Sequence, residues 1–500
     1  MSAPAPVTPP PSATEALPIL GHALPMWRDP MPFLLRQHTR ASVVRLRLGP
    51  KPVHLLTDPA LVRRALVTEP QRFDKGGPFV DAARTLIGDG LGTCSAADHR
   101  HQRPLMNQAF RPACVAGYTA AMVDCARETV AAWQPGQIVD VCREMRRLAC
   151  RALTRTLFSD PAQQGLTAEI EEAYTVLMPG MWWQMVIPFG LVHRVPVPAN
   201  RRFERARVTA RSLIARMVTA YRARSADLGD GLSLIMAAQD DRGRSFTDDE
   251  VCDQIATLMI GGIPATADLL SWMFAALSRD GTLERALHDE IDTALPGRRT
   301  PTHDDIAALP LLGRTLTETL RLYPSVSVLS RRVTQDVDLD GTRLGPGDEV
   351  MFSPYCLHRD AELFPDPDHF DPDRWLPGRI GREQREAFIP FGAGTRKCIG
   401  DAYGMAEATL AAAHILSRVR LAQVPGTPAP RPMLRMTLSP VPLNLTVEPR
   451  GTGATATEQA EDRQELRVTT SPQEGKPVDE AGESAGTPRC PAHPADPAAD

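Results

Sequence analysis

Apolar patterning runs from about Leu17 to Val447 with no linker-like shift in composition, and its dominant period is helical. Apolar residues recur at spacings of three and four through 58–69, 116–134, 143–158, 203–225 and 249–279, with Asp, Thr or Ser near the starts. Strand-like alternation is local: 43–48 and 53–56 across Gly49-Pro50, a stretch near 333–352 punctuated by Gly341, Gly345 and Gly347, and 442–448. The pattern predicts a mainly α fold with small β-sheets. A chain of 500 residues exceeds the usual ~100–200 residues of one domain. Without a repeat or a linker, however, one large domain over 17–450 is the expectation.

The flanks differ from this core. Residues 1–16 are rich in Pro, Ala and Ser, and 451–500 holds no aromatic residue, so both are expected to be disordered. The tail is acidic, with ten acidic and four basic side chains; of the net −4 it carries −6, leaving +2 for residues 1–450. No basic field for nucleic acid exists. Nine cysteines, none in a CxxC pair, are scattered through apolar segments and read as reduced. No stretch reaches the ~18 uninterrupted apolar residues of a spanning helix, and the chain opens with neither a basic nor an apolar targeting region. A cytoplasmic monomer without an integral membrane segment is expected.

One cysteine stands apart. Phe388-Ile-Pro-Phe-Gly-Ala-Gly-Thr-Arg-Lys-Cys-Ile-Gly400 places Cys398 in a Gly-rich turn beside Arg396 and Lys397, just before a helical pattern from Ala402 to Leu416. Glycines let backbone N–H groups approach the sulfur, and the cations and helix N-terminus favour a thiolate. Such a thiolate is either a nucleophile or an axial haem ligand; a lone cysteine without such a loop is more often an inert core thiol.

The loop FGAGTRKCIG fits F-x-x-G-x-R-x-C-x-G at every fixed position and resembles the cysteine-ligand loop of the cytochrome P-450 family of haem-thiolate monooxygenases. Glu318-Thr-Leu-Arg321 on a helix over 312–322, and Phe370-Asp-Pro-Asp-Arg374-Trp375, resemble that family's E-x-x-R and its arginine partner, in the family's order. The resemblance spans roughly 17–450 and implies haem b (iron protoporphyrin IX), with Cys398 as axial thiolate and metal ligand. It further implies Phe391 as a shield for the sulfur, Gly400 in the ligand loop, and Glu318, Arg321 and Arg374 as a buried structural triad. Propionate-binding positions map to His99, Arg103, Arg331, His358 and Arg396. His99 stands where many members carry Trp. His101 reads as an ordinary surface histidine.

The chain departs from the family on the helix over 249–279. The family's Ala/Gly-Gly-x-Asp/Glu-Thr-Thr/Ser run is here Gly261-Gly262-Ile263-Pro264-Ala265-Thr266. The glycines that make room for dioxygen remain, but Pro264 and Ala265 replace the acid and alcohol that deliver protons. A missing general-acid relay typically costs ~10²–10⁴-fold. Pro264 also removes an N–H and crowds the Ile260 carbonyl, which predicts a kink there. Thr266 lies about 100° further round the helix and is no simple replacement.

The main reading is a monooxygenase with water- or substrate-assisted proton delivery. The alternatives are a peroxygenase using hydrogen peroxide, which the lack of arginine in 251–278 disfavours; haem-dependent coupling or rearrangement without net oxygen insertion; and a non-enzymatic haem sensor. The segments Phe79–Ile87, Met178–Val192, Ile260–Ala265 and Val326–Leu329 predict a hydrophobic small-molecule substrate. The phrases FDKGGP at 73–78 and PVPANRRFERA at 196–206 resemble bacterial members that oxidise cyclic terpenes. No flavin or iron–sulfur segment is visible, so an external ferredoxin and ferredoxin reductase are implied, docking on Arg100, Arg111, Arg396 and Lys397.

Overall fold

The computed structural model describes residues 10–18, 21–48, 52–159, 164–186, 197–223 and 228–450. The expectations for the 451–500 tail and for 187–192 lie outside these residues. The fold is mainly helical, with four small sheets among the described residues.

The helix Asp248–Leu277 is its axis. Thr247 and Glu250 form a capping box, the Glu250 carboxylate accepting from the Thr247 N–H at 2.8 Å, and Asp248, Asp249 and Glu250 add favourable charge in the first turn. Its apolar residues face inward on most sides because the helices Val141–Leu157, Pro198–Ala223, Pro310–Leu322 and Asp401–Arg418 all pack against it. By length and composition this helix is apolar enough to cross a membrane, but 78% of its most apolar window is buried inside the protein. The expected kink does not interrupt it. The helix continues through Pro264, and Ser325 Oγ donates to the Ala265 carbonyl at 3.1 Å from the side.

Two other expectations needed correction. The periodicity over 58–69 is broken into a short α-helix, Pro59–Arg63, a π turn, Arg64–Thr68, and a 3-10 turn, Pro70–Arg72. The wider turn leaves the Leu66 carbonyl so close to Gly394 that a Cβ there would lie 1.9 Å from it, and Gly394 has φ +68°; only glycine fits. Residues 10–16 are not a free end either. Ala13 is buried, its N–H donates to the Arg45 carbonyl at 2.9 Å, and the Thr14 N–H donates to Gln37 at 3.2 Å. Unpaired backbone on the edge strand Val43–Arg47 explains why a Pro-rich segment settles there.

The largest sheet positions the site. Its strands lie in the order Val43–Arg47, Pro52–Leu56, Glu349–Phe352, Leu329–Val333, Phe73–Asp74. Asp74 pairs with Arg332, so Lys75 and Arg331 emerge side by side from distant parts of the chain.

Near its C-terminal half the central helix is tied to the strand Leu438–Val441 by Asp268, fully buried, which accepts from Thr437 Oγ1 at 2.5 Å and Ser439 Oγ at 2.9 Å. Burial pushes its carboxyl up against the two donating hydroxyls, and an amide oxygen at the same place can still accept from both. Asp268→Asn is expected to cost under about 1 kcal/mol, and Asp268→Ala about 1–3 kcal/mol because two buried hydroxyls lose their acceptor; urea midpoints of the two variants check this.

Candidate functional site

The cysteine loop is a tightly bonded turn between two helices. Gly392 and Gly394 both adopt φ +68°, the Cys398 N–H donates to the Phe391 carbonyl at 2.8 Å, and Gly400 opens the helix Asp401–Arg418. Among the described cysteines seven are buried and Cys398 is exposed. Yet burial is the largest influence on its acidity, so the sulfur opens on a slot inside the protein rather than on the outer surface. Burial and the Asp401 charge raise the thiol, while the Gly400 N–H and the Arg103 and Lys75 charges lower it. This sulfur calls for a further positive group.

Around the slot the charges do not balance. Arg331 is 6% exposed, and burial followed by the charge of Arg396 lowers it to about 10. Burial and then the Arg331 and Arg396 charges lower Lys75 to about 7; its Nζ donates to the Gly92 carbonyl at 2.5 Å. His99 is depressed to about 3 by burial, then by Arg396, Arg103 and Lys75. Arg103 is lowered by burial as well. One carboxylate, Asp74, meets Arg396 at 3.0 Å. Cationic groups disfavoured together in one buried place are a site for an anion, and two propionates supply that charge. The donor set therefore fits haem. Lys75 was missed in the sequence, where FDKGGP read as a substrate hint; its signal was its place directly after a strand.

His358 leaves this set. It is fully buried, its Nε2 accepts from the Ile389 N–H at 3.0 Å and its Nδ1 lies 3.1 Å from the Arg321 carbonyl, so both nitrogens are spent on the backbone. Burial lowers it to about 3 and keeps it neutral. It is a strut beneath the loop rather than a propionate cation. His101 lies 3.1 Å from Asp240, away from the site.

The central helix presents Gly261, its one exposed residue between Glu250 and Leu277, with half-buried Gly262 and Ala265. A Cβ at Gly261 would meet nothing within 4 Å, so open space lies there. Thr266 is buried against the helix Asp401–Arg418, where a Cβ on Gly404 would lie 3.8 Å from its Oγ1.

Behind the cysteine the predicted triad forms. Arg321 donates to both Glu318 oxygens, at 2.7 and 2.9 Å, with both side chains at 0% exposure. Arg374 approaches Glu318 at 3.5 Å, Trp375 Nε1 donates to it at 2.8 Å, and the Asp371 N–H at 3.0 Å. Arg321 also donates to the carbonyls of His358, Pro367 and His369. A pair that reads as an ordinary i,i+3 couple in sequence thus holds the connection 358–371 at three carbonyls.

The cytochrome P450 family model, written here cytochrome P-450, matches residues 10–447. The chain belongs to the cytochrome P-450 family. This cytochrome P-450 is 43% identical over 441 residues to cyclooctatin synthase of Streptomyces melanosporofaciens, covering 88% of this chain and 95% of that one. It is 39% identical over 414 residues to pentalenene oxygenase of Streptomyces avermitilis, covering 83% and 92%. The haem domain of cytochrome P-450DA superimposes with a TM-score of 0.80 at 25% identity, covering 89% of this chain and 98% of that one. The protein is a haem-thiolate oxidoreductase of the monooxygenase class, binding haem b through a cysteine thiolate.

Three outcomes test the site. Cys398→Ser abolishes the thiolate-type spectrum of the reduced carbon monoxide complex. Lys75→Met and Arg331→Leu each speed haem loss to apomyoglobin by about tenfold or more, the value of one charge-assisted hydrogen bond. His358, ordinarily near 6.5 and about 3 here, refuses a proton that the unfolded chain takes up between those values. Stability therefore falls as pH drops through that window, and His358→Gln makes the acid limb of a urea-midpoint profile shallower.

Proposed function

We propose that this cytochrome P-450 inserts one oxygen atom from dioxygen into an apolar cyclic terpenoid of secondary metabolism. The observation that carries this reading is an apolar cavity against the central helix. Ile87, Leu177, Met181, Phe203, Ile214 and Ile260 line one apolar cavity beside the open face of the central helix. A hydrocarbon skeleton gains by leaving water for such a surface, at about 25 cal/mol per Å². Two arginines reach the cavity rim, but Arg207 donates to Glu204 and Arg211 to Asp253, so neither is a free cation for a fatty-acid carboxylate. That counts against the peroxygenase alternative. The relatives support the terpenoid class: pentalenene oxygenase and a cyclooctat-9-en-7-ol 5-monooxygenase are named for ring hydrocarbons and their alcohols.

Haem held by Cys398 supplies the activation of dioxygen. The chain's residues do the rest: Lys75, Arg103, Arg331 and Arg396 would neutralise the propionates, neutral His99 would donate a hydrogen bond to one of them, and the Glu318–Arg321 pair keeps the cysteine loop rigid. Gly261 and Gly262 leave space above the slot, and the apolar cavity excludes water and orients the substrate.

Electrons come from a separate ferredoxin and its reductase. The docking surface is smaller than sequence suggests. Arg396 faces inward to Asp74 and the Cys94 carbonyl, and Lys397 pairs with Asp401 at 2.5 Å, whereas Arg100 and Arg111 are exposed. Charge reversal of Arg100 and Arg111 together is expected to slow reduction by ferredoxin several-fold and flatten its dependence on salt. An unchanged rate by stopped flow overturns that surface.

The substrate reading is tested by spectral titration of the ferric protein. Cyclic terpenoids are expected to displace the haem water and give a low-to-high spin shift. A shift with fatty acids alone overturns the terpenoid class.

A further inference from the structure

A hydroxyl that leaves water without finding a new partner loses hydrogen-bond energy, so buried tyrosines are ordinarily paired. Three in the helical core follow this rule. Tyr118 donates to the Ala109 carbonyl at 3.1 Å, Tyr221 donates to Asp230, and the Tyr403 hydroxyl lies 3.0 Å from Thr156 Oγ1.

Tyr174, on the helix Gln164–Val186, departs from it. The residue is 4% exposed, yet among the described residues no hydrogen bond holds its hydroxyl. Burial raises its phenol well above the usual range, and Cys150, on the helix Val141–Leu157, adds only a like-charge repulsion. The side chain lines the apolar cavity against the central helix. The other walls offer it no partner. Ile87, Leu177, Phe203, Ile214 and Ile260 are hydrocarbon, and Arg207 and Arg211 at the rim are committed to Glu204 and Asp253. A hydroxyl that the protein leaves unpaired beside a cavity finds its partner in what the cavity holds.

We propose that Tyr174 selects a substrate that already carries oxygen: its hydroxyl hydrogen-bonds an alcohol or ketone on the ring skeleton, while the apolar walls hold the hydrocarbon remainder. A site built to hydrogen-bond an oxygen rejects the analogue lacking it more strongly than an apolar wall rejects an added group, because its own buried hydroxyl is then left unpaired. The same contact governs position. Ile260 borders the cavity one residue before Gly261, where the central helix leaves open space, whereas Tyr174 comes from a different helix. Fixing one end of the skeleton at Tyr174 therefore sets which carbon is presented to the slot. The reaction that supplies such a substrate leaves oxygen on the skeleton, either by an earlier hydroxylation or by capture of water as the rings close. This enzyme then adds a further oxygen to a skeleton already functionalised.

The inference deepens the terpenoid reading and rests on it, and matched probes separate the two. Haem-loaded wild-type protein and Tyr174→Phe, which keeps the ring and removes the hydroxyl, are titrated with cyclic sesquiterpene and diterpene alcohols and with the parent hydrocarbon of each, following the low-to-high spin shift. The parent cancels the contribution of the skeleton, so the preference for alcohol over parent reports the hydroxyl contact. That preference is expected to fall about tenfold from wild type to Tyr174→Phe, the value of one buried hydrogen bond whose partner is left unpaired. Oxygenated products of the alcohol are expected to spread over more positions in the variant. A preference that survives in Tyr174→Phe overturns the proposal, and so does a loss that strikes alcohol and parent alike, which marks a packing role. In wild type alone, saturation with the alcohol, but not with the parent, is expected to shift the phenol C–O stretch of one tyrosine in infrared difference spectra. This measurement stands if the variant fails to fold, and an absent shift overturns the contact. No spin shift with either member of any pair overturns the terpenoid reading itself, and the inference with it.

Discussion

A wholly buried ion pair is the joint on which the site turns. Removing two charges from water is expensive, and an isolated pair repays it only with good geometry and full hydrogen bonding. Glu318 and Arg321 meet that condition: the carboxylate receives Arg321 twice, Trp375 and the Asp371 N–H, while the guanidinium also serves three carbonyls. Those carbonyls belong to His358, Pro367 and His369, so one side chain fixes the path of the chain that leads to the cysteine loop. His358 then passes the constraint on, accepting the Ile389 N–H two residues before Phe391. Breaking the pair leaves an uncompensated buried charge, the costliest single failure available to this fold.

The other face of the loop is built on the opposite principle. There the protein gathers Lys75, His99, Arg103, Arg331 and Arg396 around one slot, with Asp74 beside Arg396 and Asp401 near Arg103 to offset them only in part. Every resolved shift among these cations is downward, the signature of positive charge held against its own repulsion and against burial. A thiol raised by burial sits in the same slot. Both penalties are relieved together by a group with a positive centre for the sulfur and negative arms for the cations. The polypeptide is thus electrostatically complete only with haem in place, which couples cofactor binding to stability by mass action.

Much of this was legible beforehand because it depends on residue type at fixed spacing. The helical class and the small sheets follow from local pattern, and the cysteine loop and the Glu318–Arg321–Arg374 network from the resemblance of their motifs, taken together, to the family. What escaped depends on tertiary neighbours. Lys75 and Arg331 meet because two strands pair across more than half the chain, which no local pattern encodes. His358 has a site-like spacing, yet its surroundings deny it a charge. The segment 58–69 has helical periodicity, yet a π turn wins because Arg64 and Arg72 both pair with Glu69 and Gly394, lacking a Cβ, leaves room for the displaced Leu66 carbonyl. Residues 10–16 have a disordered composition, yet they settle on an edge strand whose backbone needs partners.

The central helix shows how such dependence reaches the chemistry. Replacing an acid and an alcohol by Pro264 and Ala265 removes a proton route from one element, but the requirement for protons belongs to the reaction and stays. The same proline lacks the N–H that would cap the Ile260 carbonyl, and a helix without Pro264 would close that part of its groove to water. Thr266, two residues on, is buried against the helix that follows Cys398, so the central helix and the helix that anchors the ligand loop meet just behind the departure from the family's run.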